Sequence, residues 1–238
     1  MSVSPSGAAQ AAELSVICTV SMKEALHDLA PAFEQASGHK LNMIYGSGPD
    51  LSKRIAAGMQ ADIFLGPDDF SQPLMKQGAL AAGSRVALAL SRTALGLRAT
   101  EPTPDVTTPE KLKAVLLAAN TVSYSGGASG IHFVKVLQTL GIADAVAAKR
   151  VVPKPGELVG AVVARDAADI GVQQVSELLP VEGIQILDPL PQVFQQTIVY
   201  SVSAFANSTQ REAAREFVTF LRSRPAREVL RKKGLDPA

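Results

Sequence analysis

At four places the chain sets serine or glycine where an apolar run gives way to a helical pattern. They are Ser21, Ser47-Gly48, Gly127-Ala128-Ser129-Gly130 and Pro155-Gly156-Glu157-Leu158. Glycine lets backbone amides reach a ligand, and serine adds a hydroxyl donor. A helix that starts at such a turn points its first amides outward. Each start favours a negative charge by about 0.3–1 kcal/mol. Several converging starts can hold a dianion without any lysine or arginine. The first turn is the clearest. Leu14-Ser15-Val16-Ile17-Cys18-Thr19-Val20 reads as a buried strand, Ser21 follows at once, and Glu24 comes three residues later. That is the spacing of a capping box opening a helix directly off a strand end. Serine and glycine are also the ordinary caps of any helix, so one turn alone is explained by capping. The site reading requires the turns to share a sheet edge.

Other chemistry is thinly represented. Of the three histidines, His27 falls on a helix face and His39 after a helix end, which reads as surface. His132, three residues past Ser129, is the one histidine placed to act as a base near these turns, although a packed or solvated ring is the plainer reading. Tyr124 and Ser125 end the strand before the same turn and line either the site or the core. Asp68-Asp69 after Pro67 reads as a helix cap rather than a carboxylate pair. No cluster of His, Asp and Glu has ligand spacing, so no metal is expected. There is no phosphate-binding loop with its lysine and no G-x-S-x-G elbow. No cofactor and no catalytic residue are assigned.

Composition narrows the classes further. A chain of 238 residues with 47% hydrophobic and 19% charged residues is an ordinary globular protein with room for one large core or two small ones. A net charge of +1 gives no footprint for nucleic acid or an anionic membrane. No apolar run approaches the roughly 20 residues that span a bilayer. The single cysteine, Cys18, excludes an internal disulfide and a cysteine-built zinc site, and its place in the first strand reads as a buried hydrophobe. Residues 1–12 are small and polar. Ala8-Ala9-Gln10-Ala11-Ala12 looks like the tail of a secretory signal whose apolar core is gone, so this segment is expected to be a disordered export remnant of a periplasmic protein. The charged run Arg222 to Lys233 reads as the solvated face of a terminal helix.

The elements that would position the turns alternate along the chain. Strand 14–20 feeds helix 22–37, whose Met22, Ala25, Leu26, Leu29, Phe33 and Ala36 share a face, with Pro31 inside and Gly38 ending it. Strand 41–45, a helix ending at Gly58, strand 62–65 and a helix ending near Gly78 follow. Two β segments, 86–90 and 94–98, precede a Pro/Thr-rich stretch and a helix over 109–118 capped by Thr108. Then come strand 121–124, helix 131–140, strand 149–152, helix 157–165, strand 169–172 and helix 174–179. A β-rich run, 195–205, leads to helices 208–223 and 225–233. The alternation predicts an α/β protein with mostly parallel sheets covered by helices on both faces. The terminal helices need a sheet to pack on. The simplest path is therefore discontinuous, with lobe I built from 13–90 and 197–238, lobe II from 91–196, and a hinge and cleft between them.

Several blocks in this order resemble a known family. They are Thr19-Val20-Ser21-Met22 with Gly38-His39-Lys40, Tyr45-Gly46-Ser47-Gly48 with Ala61-Asp62-Ile63-Phe64-Leu65, Ser129-Gly130-Ile131 with Leu140-Gly141, and Leu158-Val159-Gly160-Ala161 with Asp169-Ile170-Gly171-Val172. From about residue 13 to the C-terminus the chain is similar to the periplasmic molybdate-binding proteins of ABC transporters, which have the type II periplasmic-binding-protein fold. The resemblance implies a ligand held between two lobes by serine hydroxyls and backbone amides. Ser21 falls on the family's first ligand serine, Ser129 where a backbone amide is supplied, and Leu158 where another is. The second ligand serine aligns with Gly48, leaving Ser47 one place away. The family's tyrosine donor aligns with Gln174, whose amide can still donate. The implied ligand is a small oxyanion of the molybdate or tungstate type, or a small carboxylate. The implied partner is an ABC membrane permease, with the protein itself a monomer. Divergent members group with an isomerase of unsaturated tricarboxylates, so an aconitate-type isomerase acting by proton transfer is the alternative.

Overall fold

The computed structural model describes residues 11–187 and 189–238, so the expected signal remnant lies outside the described residues except for Ala11 and Ala12. The fold starts from the apolar run. Leu14, Val16, Ile17 and Cys18 of β1 (Glu13–Thr19) are fully buried, as a central parallel strand covered on both faces requires. Cys18 is a free, buried thiol. After β1 come α1 (Lys23–Ser37), β2 (Lys40–Gly46), α2 (Gly48–Ala56), β3 (Ile63–Pro67) and α3 (Asp68–Lys76). β1 lies between β2 and β3 and is parallel to both. Gly38 ends α1 at φ 79, the left-handed conformation that glycine adopts without strain.

The two β segments expected next are one strand, β4 (Val86–Arg98). The polar residues Ser91, Arg92 and Thr93 break the apolar pattern in the sequence, but Ser91 and Thr93 are buried in the strand. Beyond β4 the chain forms α4 (Pro109–Ala118), β5 (Val122–Tyr124), α5 (Ala128–Thr139), α6 (Ala143–Ala147) and β6 (Arg150–Val151). Then follow α7 (Val159–Ala164), β7 (Ile170–Gln174), α8 (Val175–Leu178), β8 (Ile184–Leu187), β9 (Thr197–Ala204), α9 (Arg211–Leu221), α10 (Arg224–Lys232) and β10 (Asp236–Pro237). Thr108 caps α4 as expected, its side chain accepting from the Lys111 amide. Neither α6 nor β8 was expected; both are too short to show a period.

The strand order is β2-β1-β3-β9-β4-β7-β5-β6, with β8 and β10 also paired to β4. Within each half the strands are parallel, β2-β1-β3 in one and β7-β5-β6 in the other. The long strand β4 and its neighbour β9 run antiparallel to their partners. The sheet is therefore mixed, which corrects the expectation of mostly parallel pairing. A chain that leaves one half and later returns to it needs strands running in opposite directions at the crossing.

Two main apolar cores follow this division. One joins Leu14, Met22, Leu26, Phe33, Tyr200, Phe217 and Leu230. The other joins Leu95, Leu112, Val122, Phe133, Leu137 and Val172. Helices α9 and α10 pack on α1. Phe217 is fully buried there, with its ring centroid 4.9 Å from that of Phe33. Phe217→Ala is expected to cost about 3–5 kcal/mol of stability, read from the midpoint shift in urea unfolding.

Candidate functional site

Strand register decides where the turns go. In the first half Thr19 stands beside Gly46 and Cys18 beside Leu65, so the chain leaves toward Ser21, Ser47 and Asp68 from one carboxyl edge. In the second half Tyr124 stands beside Val172 and Ser123 beside Val151, so Ser125–Ser129, Leu158 and Gln174 follow another carboxyl edge. The crossing strands relate the two edges. Pro67 pairs with Tyr200, Tyr200 with Ala89, Arg92 with Thr197, and Thr93 with Gln174. β4 runs in the same direction as β3, with β9 antiparallel between them, and β7 runs back against β4, so the two carboxyl edges face each other. The halves touch there. Ala128, at the start of α5, packs against the first core, and α8 packs against the 3-10 turn Val20–Met22.

Each sequence-predicted residue has a definite place at one of these two carboxyl edges. Ser21 lies inside the 3-10 turn and caps no helix; α1 starts at Lys23 behind Met22, without a side-chain cap. The expected capping box is absent because β1 ends at Thr19 and the chain tightens before the helix begins. The Ser21 hydroxyl is thereby released from the helix and lies beside the Tyr200 phenol. Ser47 is exposed and caps α2, its oxygen accepting from the Asp50 amide at 3.3 Å. Gly48 is buried under the Phe70 ring, and a Cβ there would stand 2.2 Å from a ring carbon. Ser129 is buried in the first turn of α5, which has Gly127 at its N-cap and no side-chain cap. Gly130 beside it is obligatory, since a Cβ would stand 1.8 Å from the Ser125 carbonyl oxygen. Leu158 precedes α7, where the Val159 amide donates to Gln173 Oε1 at 2.8 Å. Gln174 is the last residue of β7, not the first of a helix. It is fully buried, and its Nε2 donates to Thr93 Oγ1 at 3.1 Å, which ties it to the crossing strand.

The other candidates are structural. His132 Nε2 is bonded to the Phe194 carbonyl at 2.7 Å, which makes its ring part of the second half's packing. His39 is buried rather than on the surface, its Nδ1 accepting from the Ala12 amide at 3.0 Å and its Nε2 facing Glu216 at 3.2 Å. Asp68 is taken up by a two-point pairing with Arg85. Tyr124 belongs to the second core. Among the described residues no group of His, Cys, Asp or Glu is arranged to hold a metal, and no helix is long and apolar enough to cross a membrane.

Buried polar groups that sequence reading missed mark the seam more sharply. Thr19 Oγ1, Gln174 Oε1, Ser176 Oγ and the Tyr200 hydroxyl are all buried without a hydrogen-bond partner. They come from the two sides of the contact between α8 and the 20–22 turn, and from β9 beneath it. Orphaned polar groups of this kind carry a desolvation cost of about 1–3 kcal/mol each, which a bound polar molecule relieves. Glu177, also buried, lies among them. Burial pushes its carboxyl up to about 7, against the opposing hydrogen bonds of the Gln174 backbone and the Gln173 side chain. Burial and the nearby Glu177 also hold the Tyr200 phenol well above its ordinary value. A cation stands at the second edge. Arg150 lies over the Tyr124 ring, 4.0 Å from its centroid, and donates to the Tyr124 carbonyl at 2.9 Å. Tyr200, Ser176 and Glu177 gave no sequence signal, because a tyrosine in a β-rich run and polar residues in a one-turn helix are common in any core or cap.

Two α/β halves with opposed carboxyl edges, joined by crossing strands, define the periplasmic-binding-protein fold. The chain belongs to the bacterial extracellular solute-binding proteins, whose family model matches residues 14–236. It is 33% identical over 229 residues to an aconitate isomerase of Pseudomonas sp., covering 94% of this chain and 87% of that one. It is 28% identical over 236 residues to the molybdate-binding protein ModA of Azotobacter vinelandii, covering 95% and 91%. A solved structure of the Azotobacter vinelandii periplasmic molybdate-binding protein superposes with a TM-score of 0.77 at 20% identity, over 93% of this chain and 98% of that one.

Two outcomes follow from the site geometry. Gly130→Ala is expected to cost about 1–3 kcal/mol in chemical unfolding, since backbone must move to admit the methyl group. The second concerns pH. Folded Glu177 keeps its proton up to about 7, whereas its ordinary value is 4.5. Between those values the folded chain binds more protons than the unfolded one, so this group's contribution falls as pH rises through the window and is level above it. Glu177→Gln removes that slope. In thermal melts the variant should gain on the parent at pH 8 relative to pH 5.

Proposed function

We propose that the chain is an exported, monomeric solute-binding protein of an ABC importer that closes two lobes around a small oxyanion or carboxylate. The lobes are 13–90 with 197–238, and 91–196, with Ser91-Arg92-Thr93 on the crossing strand between them. The observation that carries this reading is the meeting of two carboxyl edges over buried hydroxyls that have no partner in the protein. Ser21 supplies its freed hydroxyl and its amide, Ser129 and Leu158 supply amides, and Ser47-Gly48 form the rim of the first lobe. Gln174 reaches toward the ligand by its side chain from the end of β7. The partner is a membrane permease that accepts the closed form, and the location is the periplasm. The family match and the molybdate-binding relatives support this reading. Titration calorimetry with molybdate, tungstate, sulfate and a panel of di- and tricarboxylates should find saturable binding by one of these classes. Heat from none of them would remove the proposal. Ser21→Ala should weaken the bound anion by about 1.5–3 kcal/mol, the worth of a hydrogen bond to a charged group. Unchanged affinity would place the site elsewhere.

A second reading, isomerisation of an unsaturated tricarboxylate, is favoured by the aconitate isomerase relative and by the buried carboxyl at the seam. Its signature is a change in the cis/trans ratio of aconitate over many protein equivalents.

A further inference from the structure

Resting on the anion-binding reading, we propose that Arg150 is a second anion-binding point of the cleft, one that selects a ligand with two or more carboxylates over a lone oxyanion. Its place comes from strand register. Arg150 opens β6, the two-residue strand at the sheet edge, and stands beside Val122 of β5. β6 then ends at Val151, beside Ser123, so Tyr124 at the end of β5 has no partner on that side. The Arg150 side chain reaches forward into this gap. Its Nη2 donates to the Tyr124 carbonyl at 2.9 Å, and its guanidinium carbon lies 4.0 Å from the centroid of the Tyr124 ring. The head group therefore sits at the carboxyl edge of the second half, ahead of its own backbone. The peptide it grips leads directly into Ser125, whose backbone packs against Gly130 in the first turn of α5. Ser129 belongs to that same turn, and the chain leaving β6 runs on to Leu158. Both are residues proposed to offer amides to the ligand.

This cation is short of partners. Arg150 is half-buried, its Nε is buried without a hydrogen bond, and among the described residues no carboxylate pairs with it. Other arginines of the chain do find acids: Arg85 pairs with Asp68, Arg98 with Glu101 and Asp166, and Arg165 with Glu157. A guanidinium withdrawn from water without a counter-charge costs the fold stability, and a bound anion supplies the missing charge. The Tyr124 ring and carbonyl hold the head group in one place, so little side-chain freedom is lost when a ligand arrives. Its planar fork of N–H groups matches a carboxylate, which accepts two parallel hydrogen bonds. A tetrahedral oxyanion needs no such group, because the neutral amides and hydroxyls of the turns suffice for it. A cation set apart at one edge calls for a second negative group on the same molecule. The ligand class is therefore a small di- or tricarboxylate, with one carboxylate at the turns and another on Arg150.

The test is titration calorimetry on the full chain with molybdate, sulfate, phosphoglycolate, succinate, glutarate and tricarballylate, and with the monoamides of the three carboxylic acids. An amide keeps the shape of a carboxylate and removes its charge. The parent should bind one of the polycarboxylates about 10-fold or more tighter than its own monoamide, the worth of a hydrogen bond to a charged group, and tighter than the inorganic oxyanions. In Arg150→Gln, which keeps a donor for the Tyr124 carbonyl, that ratio should fall to about 3-fold or less. An arginine that only braces the strand end would weaken acid and amide alike and leave the ratio intact, which overturns the inference. If Arg150→Gln does not fold, Arg150→Lys keeps the charge without the fork and should lower the ratio by about 3-fold or more. A parent that binds acid and monoamide equally, or that prefers molybdate or sulfate, overturns this inference and leaves anion capture standing. Preference for phosphoglycolate overturns the carboxylate assignment. Absence of all anion binding overturns both readings.

Discussion

A single strand belongs to two sheets. From Val86 to Arg92, β4 pairs with β9 in the first half, and from Thr93 onward it pairs with β7 and β8 in the second. Everything at the seam depends on that continuity. The change of partners falls between Arg92 and Thr93, so the carboxyl ends of β1, β2 and β3 meet those of β5 and β7 head on. The hydrogen bond from Gln174 to Thr93 fixes the second edge to the strand at that point, and the Ser91 hydroxyl donates to the Gly234 carbonyl beside it. Polar side chains are buried here because the strand must pass between two apolar cores, and each such group then needs a partner.

This crossing also explains the composition of the seam. The helix starts that face it are short of side-chain caps at Met22, Gly127, Leu158 and Gln174. Two of their first amides find other partners, Lys23 donating to the Val20 carbonyl and Val159 to Gln173 Oε1. Opposite them, Thr19, Ser176 and Tyr200 bury hydroxyls that the protein leaves unpaired. A fold optimised for stability alone would satisfy these groups or replace them with apolar ones. Such atoms also occur at Ser52, Ser123, Arg150, Gln196 and Ser203, so those at this contact support the proposed site through their place between the two carboxyl edges.

Much of the chain's organisation was legible in the sequence. Period-2 and period-3.6 patterns located most of the strands and helices, because burial forces those periods. The pairing of the terminal helices with the first half followed from their apolar faces needing cover. Three features resisted. The polar Ser91-Arg92-Thr93 hid the continuity of β4, since burial by crossing strands leaves no apolar signature. Ser21 matched a capping box that does not form, because local spacing cannot see a 3-10 turn. His39 sat beyond a helix end and read as exposed, yet long-range bonds to Ala12 and Glu216 draw it inside. Of the residues proposed for the site, Ser21, Ser129 and Leu158 were marked by their turns and a resemblance. Tyr200 and Glu177 come from distant strands and helices that only the folded chain brings together.

Gly48 is the position at which the sequence resemblance sets a ligand serine, and the Phe70 ring fills the space a side chain there would need. A serine at 48 therefore requires the half-buried ring of Phe70 to swing aside. Whether a hydroxyl can be presented at this rim is thus governed by a neighbour on another helix, so the two positions have to be engineered as a pair.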